Sequence, residues 1–317
     1  MKKGFKKKKM QLTVECDEDG EEMAASIYSE IGPDGLRFLK DGIQLNKEGL
    51  VQKLHNNQEH ISLMNLNDLQ FDGINIGGGA AAQVEKGIYK PLNIKVAIKN
   101  KIKLERNNTS CNFIVDLYGA FYDEGQVKVV LELMDVGSIS DLIQILSLSH
   151  QKQQKKQIKQ KPLIPEPILA KITQQILSGL MYLHIVGKQV HRDIKPGNIL
   201  MNSKGEVKLT DFGISKELDE TSQLCSTFLG TKAYMSPERI QGKSYNNKSD
   251  IWSLGLIIIE LATGNYPYPQ KTTFLELLEF VVNEPSPDLG NEKYSGIFSK
   301  DLQDFIQSPM DFKFDEL

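Results

Sequence analysis

"VHRDIKPGNIL" (residues 190–200) and, shortly after it, "LTDFG" (209–213) decide how this chain is read. Each polar run follows an apolar, strand-like segment, so Asp193, Lys195, Asn198 and Asp211 fall at the ends of short β pieces. A carboxylate, an ammonium, an amide and a second carboxylate in this order suit transfer of a γ-phosphoryl group. That reaction needs an acid to orient the incoming hydroxyl, cations to neutralise phosphate charge and oxygen ligands for Mg²⁺.

Upstream, residues 69–133 alternate in the β manner. "FDGINIG", "AQVEKGIY", "IKVAIK", "IVDLYGAFYD" and "VKVVLELM" are strand candidates separated by glycine or charged turns, a small antiparallel sheet. Downstream, residues 134–317 switch to helical periodicity in "PILAKITQQILSGLMYLH" and "SDIWSLGLIIIELATG". The Lys/Gln-rich "HQKQQKKQIKQK" (150–161) reads as a solvated loop between helices. Residues 1–68 carry turn signals at "GPDG", "KDG" and "NKEG" and few core residues, so they are expected to form an extension with at most a small hairpin or packed flap.

Composition sets the bounds. A chain of 317 residues, 40% hydrophobic and 25% charged, can bury a core and form two lobes. The net charge of −3 is uneven, with six lysines among the first nine residues and an acidic run at 15–22, and no nucleic-acid partner is expected from it. Cys16, Cys111 and Cys225 have neither disulfide-framework nor metal-ligand spacing, which fits a reducing compartment. No apolar h-region follows the lysines, and "IWSLGLIIIELA" (251–262) is too short to span a bilayer and holds Glu260. The expectation is a cytoplasmic protein, with a nuclear location also open, and no membrane partner.

The ordered motifs resemble those of eukaryotic protein kinases, which implies an α+β, bilobal fold: an antiparallel β-sheet N-lobe at 69–133 and a mainly helical C-lobe at 134–317. By that resemblance Asp193 is the catalytic base, Lys195 contacts the γ-phosphate, and Asn198 and Asp211 hold Mg²⁺. "IGGGAAAQV" resembles the loop covering the ATP phosphates, with Ile76, Gly77, Gly78, Gly79 and Val84 at its positions and Ala82 where the family has a third glycine. In "VAIK", Lys99 would grip the α- and β-phosphates. Ala97, Val84 and Leu200 would sandwich adenine, while "LELMD" resembles the hinge that offers backbone groups to adenine, with Leu131 as gatekeeper and Glu132 and Met134 at its donor and acceptor positions.

"GTKAYMSPERI", "SDIWSLGLIIIELATGNYPYP" and "ELLEFVVNEPSPDL" narrow the resemblance to the MAP kinase kinases over roughly residues 70–306, and "DGIQLNKEG" is similar to the extension of plant and protist members. The implied activity is phosphorylation of Thr and Tyr in a MAP kinase loop with MgATP as donor, under an upstream MAP kinase kinase kinase. Lys6–Lys9 before Leu12 and Val14 resemble the family's docking motif, with a solvated tail or a nuclear-localisation patch as the alternatives. "LDETSQLCSTFLGTKAY" (218–234) corresponds to the activation loop. Thr227 is favoured as a phosphosite, with Thr221 or Ser222 as partner. Thr221 and Thr227 have the plant-type spacing and Ser222 and Ser226 the animal-type one, so the register stays open. By the same resemblance Thr231 would be structural, and Arg192 could pair with a loop phosphate.

Two stretches depart from the pattern. The eleven residues between Lys99 and Cys111 are too few for the loop, helix and loop of the family, since the helix alone needs about 12 residues at about 1.5 Å each. Glu105 is the acid available to Lys99, or else an exposed loop glutamate. The resemblance also ends before the last C-lobe helices, with the arginine that pairs with Glu238, leaving that glutamate expected without its buried partner. The alternative reading is a weak pseudokinase or scaffold that binds a MAP kinase, or another Ser/Thr kinase.

Overall fold

The turn signals of the extension separate strands rather than interrupting a tail. In the computed structural model, which describes residues 29–32, 35–38, 43–46, 49–53, 59–61, 66–79, 82–101, 111–123, 126–154, 161–211, 232–269, 273–290 and 294–310, the extension carries an antiparallel meander. It comprises β1 (Ser29–Gly32), β2 (Gly35–Phe38), β3 (Ile43–Asn46), β4 (Gly49–Lys53) and β5 (Glu59–Ile61). The expectation of at most a small hairpin or packed flap falls short, since five strands form here. Strands of three to five residues are too short to stand out by periodicity, but Gly32 pairs with Gly35 and Asn46 with Gly49, so each turn signal closes a hairpin.

The strand candidates between 69 and 133 become a second antiparallel sheet of β6 (Leu69–Gly79), β7 (Ala82–Tyr89), β8 (Ile94–Lys101), β9 (Leu117–Asp123) and β10 (Gln126–Glu132), in the order β6-β7-β8-β10-β9. Alternation gives it two apolar faces. Ala97, Val129 and Leu131 pack on one with Val84, and Val96, Ile98, Phe121 and Val130 pack on the other.

The second lobe begins with β11 (Gly137–Ser138), α1 (Ile139–Gln154) and α2 (Glu166–Met181), the last ending in a π-helical turn, Tyr182–Val186. Helix α1 thus runs into the segment expected to be a loop, because Gln and Lys propagate a helix well; residues 155–160 lie outside the described ones. A 3₁₀ turn, Pro196–Asn198, leads into the hairpin β12 (Ile199–Met201) and β13 (Val207–Leu209). After it come α3 (Pro237–Ile240), α4 (Lys248–Thr263), α5 (Phe274–Asn283) and α6 (Lys300–Met310). Helix α4 is apolar nearly all round and buried nearly all round, the central post of the lobe. It stops at Gly264, whose φ of 75° only glycine adopts cheaply. The lobes are tied by backbone: Val115 N–H donates to Leu209 O, and Leu209 N–H to Phe113 O, each at 2.9 Å.

Candidate active site

The tight turn after Ile194 folds Lys195 and Asn198 back onto Asp193. Lys195 Nζ donates to Asp193 Oδ2 at 2.8 Å, and Asn198 Nδ2 donates to both Asp193 Oδ2 and the Asp193 carbonyl at 2.8 Å. Thr210 N–H bonds Asn198 O at 3.0 Å, which brings the end of β13, and so Asp211, beside this cluster. From the other lobe Lys99 on β8 forms an ion pair with Asp211 Oδ2. Asp193, Lys195, Asn198, Asp211 and Lys99 are therefore assembled from residues far apart in the chain.

Two members stand on unusual backbone. Arg192 and Asp211 have φ of 71° and 61°, the left-handed region that side chains with a Cβ rarely occupy. Buried polar contacts hold this geometry. Asp250 on α4 accepts the amides of His191 (2.8 Å) and Arg192 (2.9 Å) and meets His184 Nε2 at 2.7 Å. His191 Nε2 lies 3.0 Å from Thr210 O, and its Nδ1 accepts from Asp193 N–H at 3.3 Å. A carbonyl on one side and an amide on the other require a neutral ring protonated on Nε2. Burial pushes the His191 pKa down, in the same direction.

The adenine-side residues named from sequence come together on one face of the sheet. Val84 of β7, Ala97 of β8, Leu131 of β10, Met134 of the connection between lobes and Leu200 of β12 belong to one apolar cluster, the kind of surface that suits an aromatic base. The Glu132 side chain points elsewhere, pairing with Lys208 Nζ at 2.7 and 2.9 Å, so the backbone is what it offers to this cluster. Ile76 stands apart, 44% exposed. Gly77, Gly78 and Gly79 close the β6–β7 hairpin opposite Val84, Gln83 and Ala82. A Cβ at Gly77 would meet nothing of the protein within 4 Å, so no contact within the chain demands glycine there. Its absence of a side chain suits approach by something from outside.

The donor set fits Mg²⁺ and nucleotide phosphates. Asn198 spends its N–H groups on Asp193, leaving an amide oxygen to pair with the Asp211 carboxylate as a hard ligand set. No group of three or more His, Cys, Asp or Glu among the described residues forms a metal cage. Two protein oxygens completed by phosphate are the usual provision for Mg²⁺.

Glu238, expected to be without its arginine, accepts a hydrogen bond from a serine. Ser249 Oγ, fully buried at the start of α4, donates to Glu238 Oε1 at 2.5 Å. Around it, Tyr234 OH donates to Glu260 at 2.6 Å, Ser253 Oγ to Tyr234 O at 2.6 Å, and Arg239 Nη1 to Arg192 O. The Arg192 and Arg239 guanidinium groups both lie over the Tyr245 ring, at 5.7 and 5.0 Å. Ser249→Ala should therefore destabilise the protein by about 1–3 kcal/mol, because it strands a buried carboxylate oxygen. Urea denaturation checks this, and an unchanged midpoint would refute it.

Glu105, Thr221, Ser222, Ser226, Thr227, Thr231, Lys6–Lys9, Leu12 and Val14 lie outside the described residues. Sequence reading missed Asp250, His184, Lys208 and Ser249. For Asp250 a signal existed: an acid in the first turn of a helix too apolar to be a surface helix.

The description "Protein kinase domain" matches residues 72–313. Mitogen-activated protein kinase kinase 2 of Arabidopsis thaliana is 37% identical, covering 97% of this chain and 85% of the relative. Mitogen-activated protein kinase kinase 1 of the same plant is 36% identical over 88% of this chain and 80% of its own. A dual specificity mitogen-activated protein kinase kinase of Drosophila melanogaster is 40% identical over 68% of this chain and 56% of its own.

Proposed function

We propose, because this chain belongs to the protein kinase family and within it to the MAP kinase kinases, that it transfers the γ-phosphoryl group of ATP to Thr and Tyr in the activation loop of a MAP kinase. The observation that carries the mechanism is the joining of Asp193, Lys195, Asn198 and the Lys99–Asp211 ion pair in one site. The family generally uses ATP with Mg²⁺, and MgATP, when bound, supplies the phosphoryl group and its charge neutralisation. Val84, Ala97, Leu131, Met134 and Leu200 would hold the base, Lys99 the phosphates, and Asn198 and Asp211 the metal.

The residues of the chain do the rest. Asp193 accepts the proton of the incoming Thr or Tyr hydroxyl and fixes its direction of attack. Lys195, 2.8 Å from Asp193, places a positive charge where charge develops on the transferred group. The scaffold reading is not favoured, since a binding module has no need of this assembly. No helix among the described residues is long and apolar enough to cross a membrane. Lys6–Lys9 with Leu12 and Val14 would dock the MAP kinase, and an upstream kinase would phosphorylate Thr227 with Thr221 or Ser222, or use the Ser222 and Ser226 register.

The test is γ-labelled ATP offered to a MAP kinase lacking its own catalytic lysine, with the full chain first treated by an upstream kinase. Label should appear on both threonine and tyrosine, and no label on either would overturn the proposal. The switch has its own test. A variant with Thr221, Ser222, Ser226 and Thr227 all changed to alanine should lose at least about tenfold of the activation, because a phosphate acts by ordering a loop through arginine contacts. A variant activated as well as the parent would refute it.

A further inference from the structure

We propose that Lys208 is a positioning residue for the adenine side of the site: through Glu132 its ammonium holds the start of the connection between the lobes against the β12–β13 hairpin. This deepens the kinase reading above and rests on it. Lysine is almost never buried without a partner, and the Lys208 side chain, in the middle of β13, is 9% exposed. Its partner is one carboxylate. Nζ donates to both Glu132 oxygens, at 2.7 and 2.9 Å, and the Glu132 side chain is itself 17% exposed.

The connection, residues 132–136, is tied to the same hairpin at both ends. At the far end Val136 N–H donates to Met201 O at 3.1 Å, and Asp135 Oδ1 accepts from Ser203 N–H at 2.7 Å. At the near end the direct tie is the Lys208–Glu132 pair. The backbone there reaches β13 by a detour, from Glu132 N–H to Asp116 O and from Val115 N–H to Leu209 O, each at 2.9 Å. Leu131 and Met134, on either side of this tie, pack in the adenine-side cluster. Leu200, packed on the same cluster, stands directly across the hairpin from Lys208, so the two side chains leave it on one face. The pair thus sets how the connection lies against Leu200.

A second acid feels the same ammonium. Asp116 N–H donates to Glu132 Oε2 at 3.3 Å. Burial pushes the Asp116 pKa up, while Lys208 pulls it down and Glu132 pushes it up. Loss of the ammonium therefore leaves two neighbouring acids without this cation, and the connection is the part that gives way. The hairpin keeps its own backbone bonds, from Leu209 to Phe113 and Val115 and from Thr210 to Asn198. The effect should fall on nucleotide binding more than on turnover.

The experiment uses the full chain and ADP as probe. Lys208→Met should weaken ADP binding at least about threefold, measured by titration calorimetry where the variant is fully folded, and raise the KM for ATP with kcat held within about twofold. Affinity for magnesium tripolyphosphate, which would meet the Lys99 and Asp211 side alone, should change less than about twofold. The double variant Glu132→Met, Lys208→Met separates position from stability. An apolar pair in place of a buried ion pair is often neutral for folding, so its urea midpoint should exceed that of Lys208→Met while its ADP affinity stays weakened by about threefold or more. ADP affinity within about threefold of the parent in either variant, or an equal loss for tripolyphosphate, would overturn the proposal. Should one variant not fold, the other decides by the same criteria. A parent that binds ADP but transfers no phosphate would sink the kinase reading alone, and the affinity contrast would still decide; a parent that binds no ADP would sink both.

Discussion

Replacing Asp193 by alanine should cut phosphate transfer by about 10²–10⁴-fold, the contribution of a positioned general base. ATP affinity should stay within about twofold, since Lys99, Asn198 and Asp211, the residues expected to hold the nucleotide phosphates and metal, are left in place. The geometry explains why no neighbour can substitute. Lys195 and the Asn198 amide both donate to Asp193 and can accept nothing through those N–H groups, and Asp211 is engaged by Lys99. Single-turnover transfer of labelled phosphate measures the effect, and retention of more than about a tenth of parental rate would mean that another group takes the hydroxyl proton.

Asp250→Ala should be the most damaging change outside the reacting groups, costing about 3–5 kcal/mol of folding stability as expected for one member of a buried charged network. It strands the amides of His191 and Arg192 and the His184 ring, all held by one carboxylate that is itself nearly inaccessible. Acid should act in the same direction. Burial alone would raise the Asp250 pKa, but the hydrogen bond from His184 and those from the His191 and Arg192 amides outweigh it and hold the value below 3.8. The stability it contributes is complete above the unfolded value and is lost as pH falls through the folded one. His191 acts earlier. It is kept neutral by burial while the unfolded chain takes up a proton near 6.5, so stability begins to fall as pH drops below that value. Glu260, raised by burial, opposes this trend, losing stability as pH rises from 4.5 through its folded value. Denaturation midpoints across pH should therefore decline less steeply in Asp250→Ala than in the parent below pH about 4.

The chemistry was legible in the sequence because it is carried by short runs on local turns. Asp193, Lys195 and Asn198 lie within six residues, and the fold merely closes the turn on which they stand. The small-lobe strands were legible by alternation, since both faces of that sheet are apolar and its turns are marked by glycine or charge. Partners on distant elements were not. Ser249 meets Glu238 across eleven residues and Lys208 meets Glu132 across seventy-six, and nothing local in either stretch announces the pairing. The extension was underestimated for a different reason. Its strands are so short that the turns between them outweigh the alternation within them, and only the pairing of neighbouring strands makes them a sheet.

The left-handed backbone at Arg192 and Asp211 sets these two positions against each other's best interests as fold and as enzyme. Glycine would relax both, and a library of variants ranked only by resistance to heat or protease should enrich glycine at 192 and 211. Each such winner would surrender a guanidinium or a carboxylate of the site. Directed stabilisation of this protein therefore needs selection for phosphate transfer in every round, because thermal tolerance alone would lead away from the reaction.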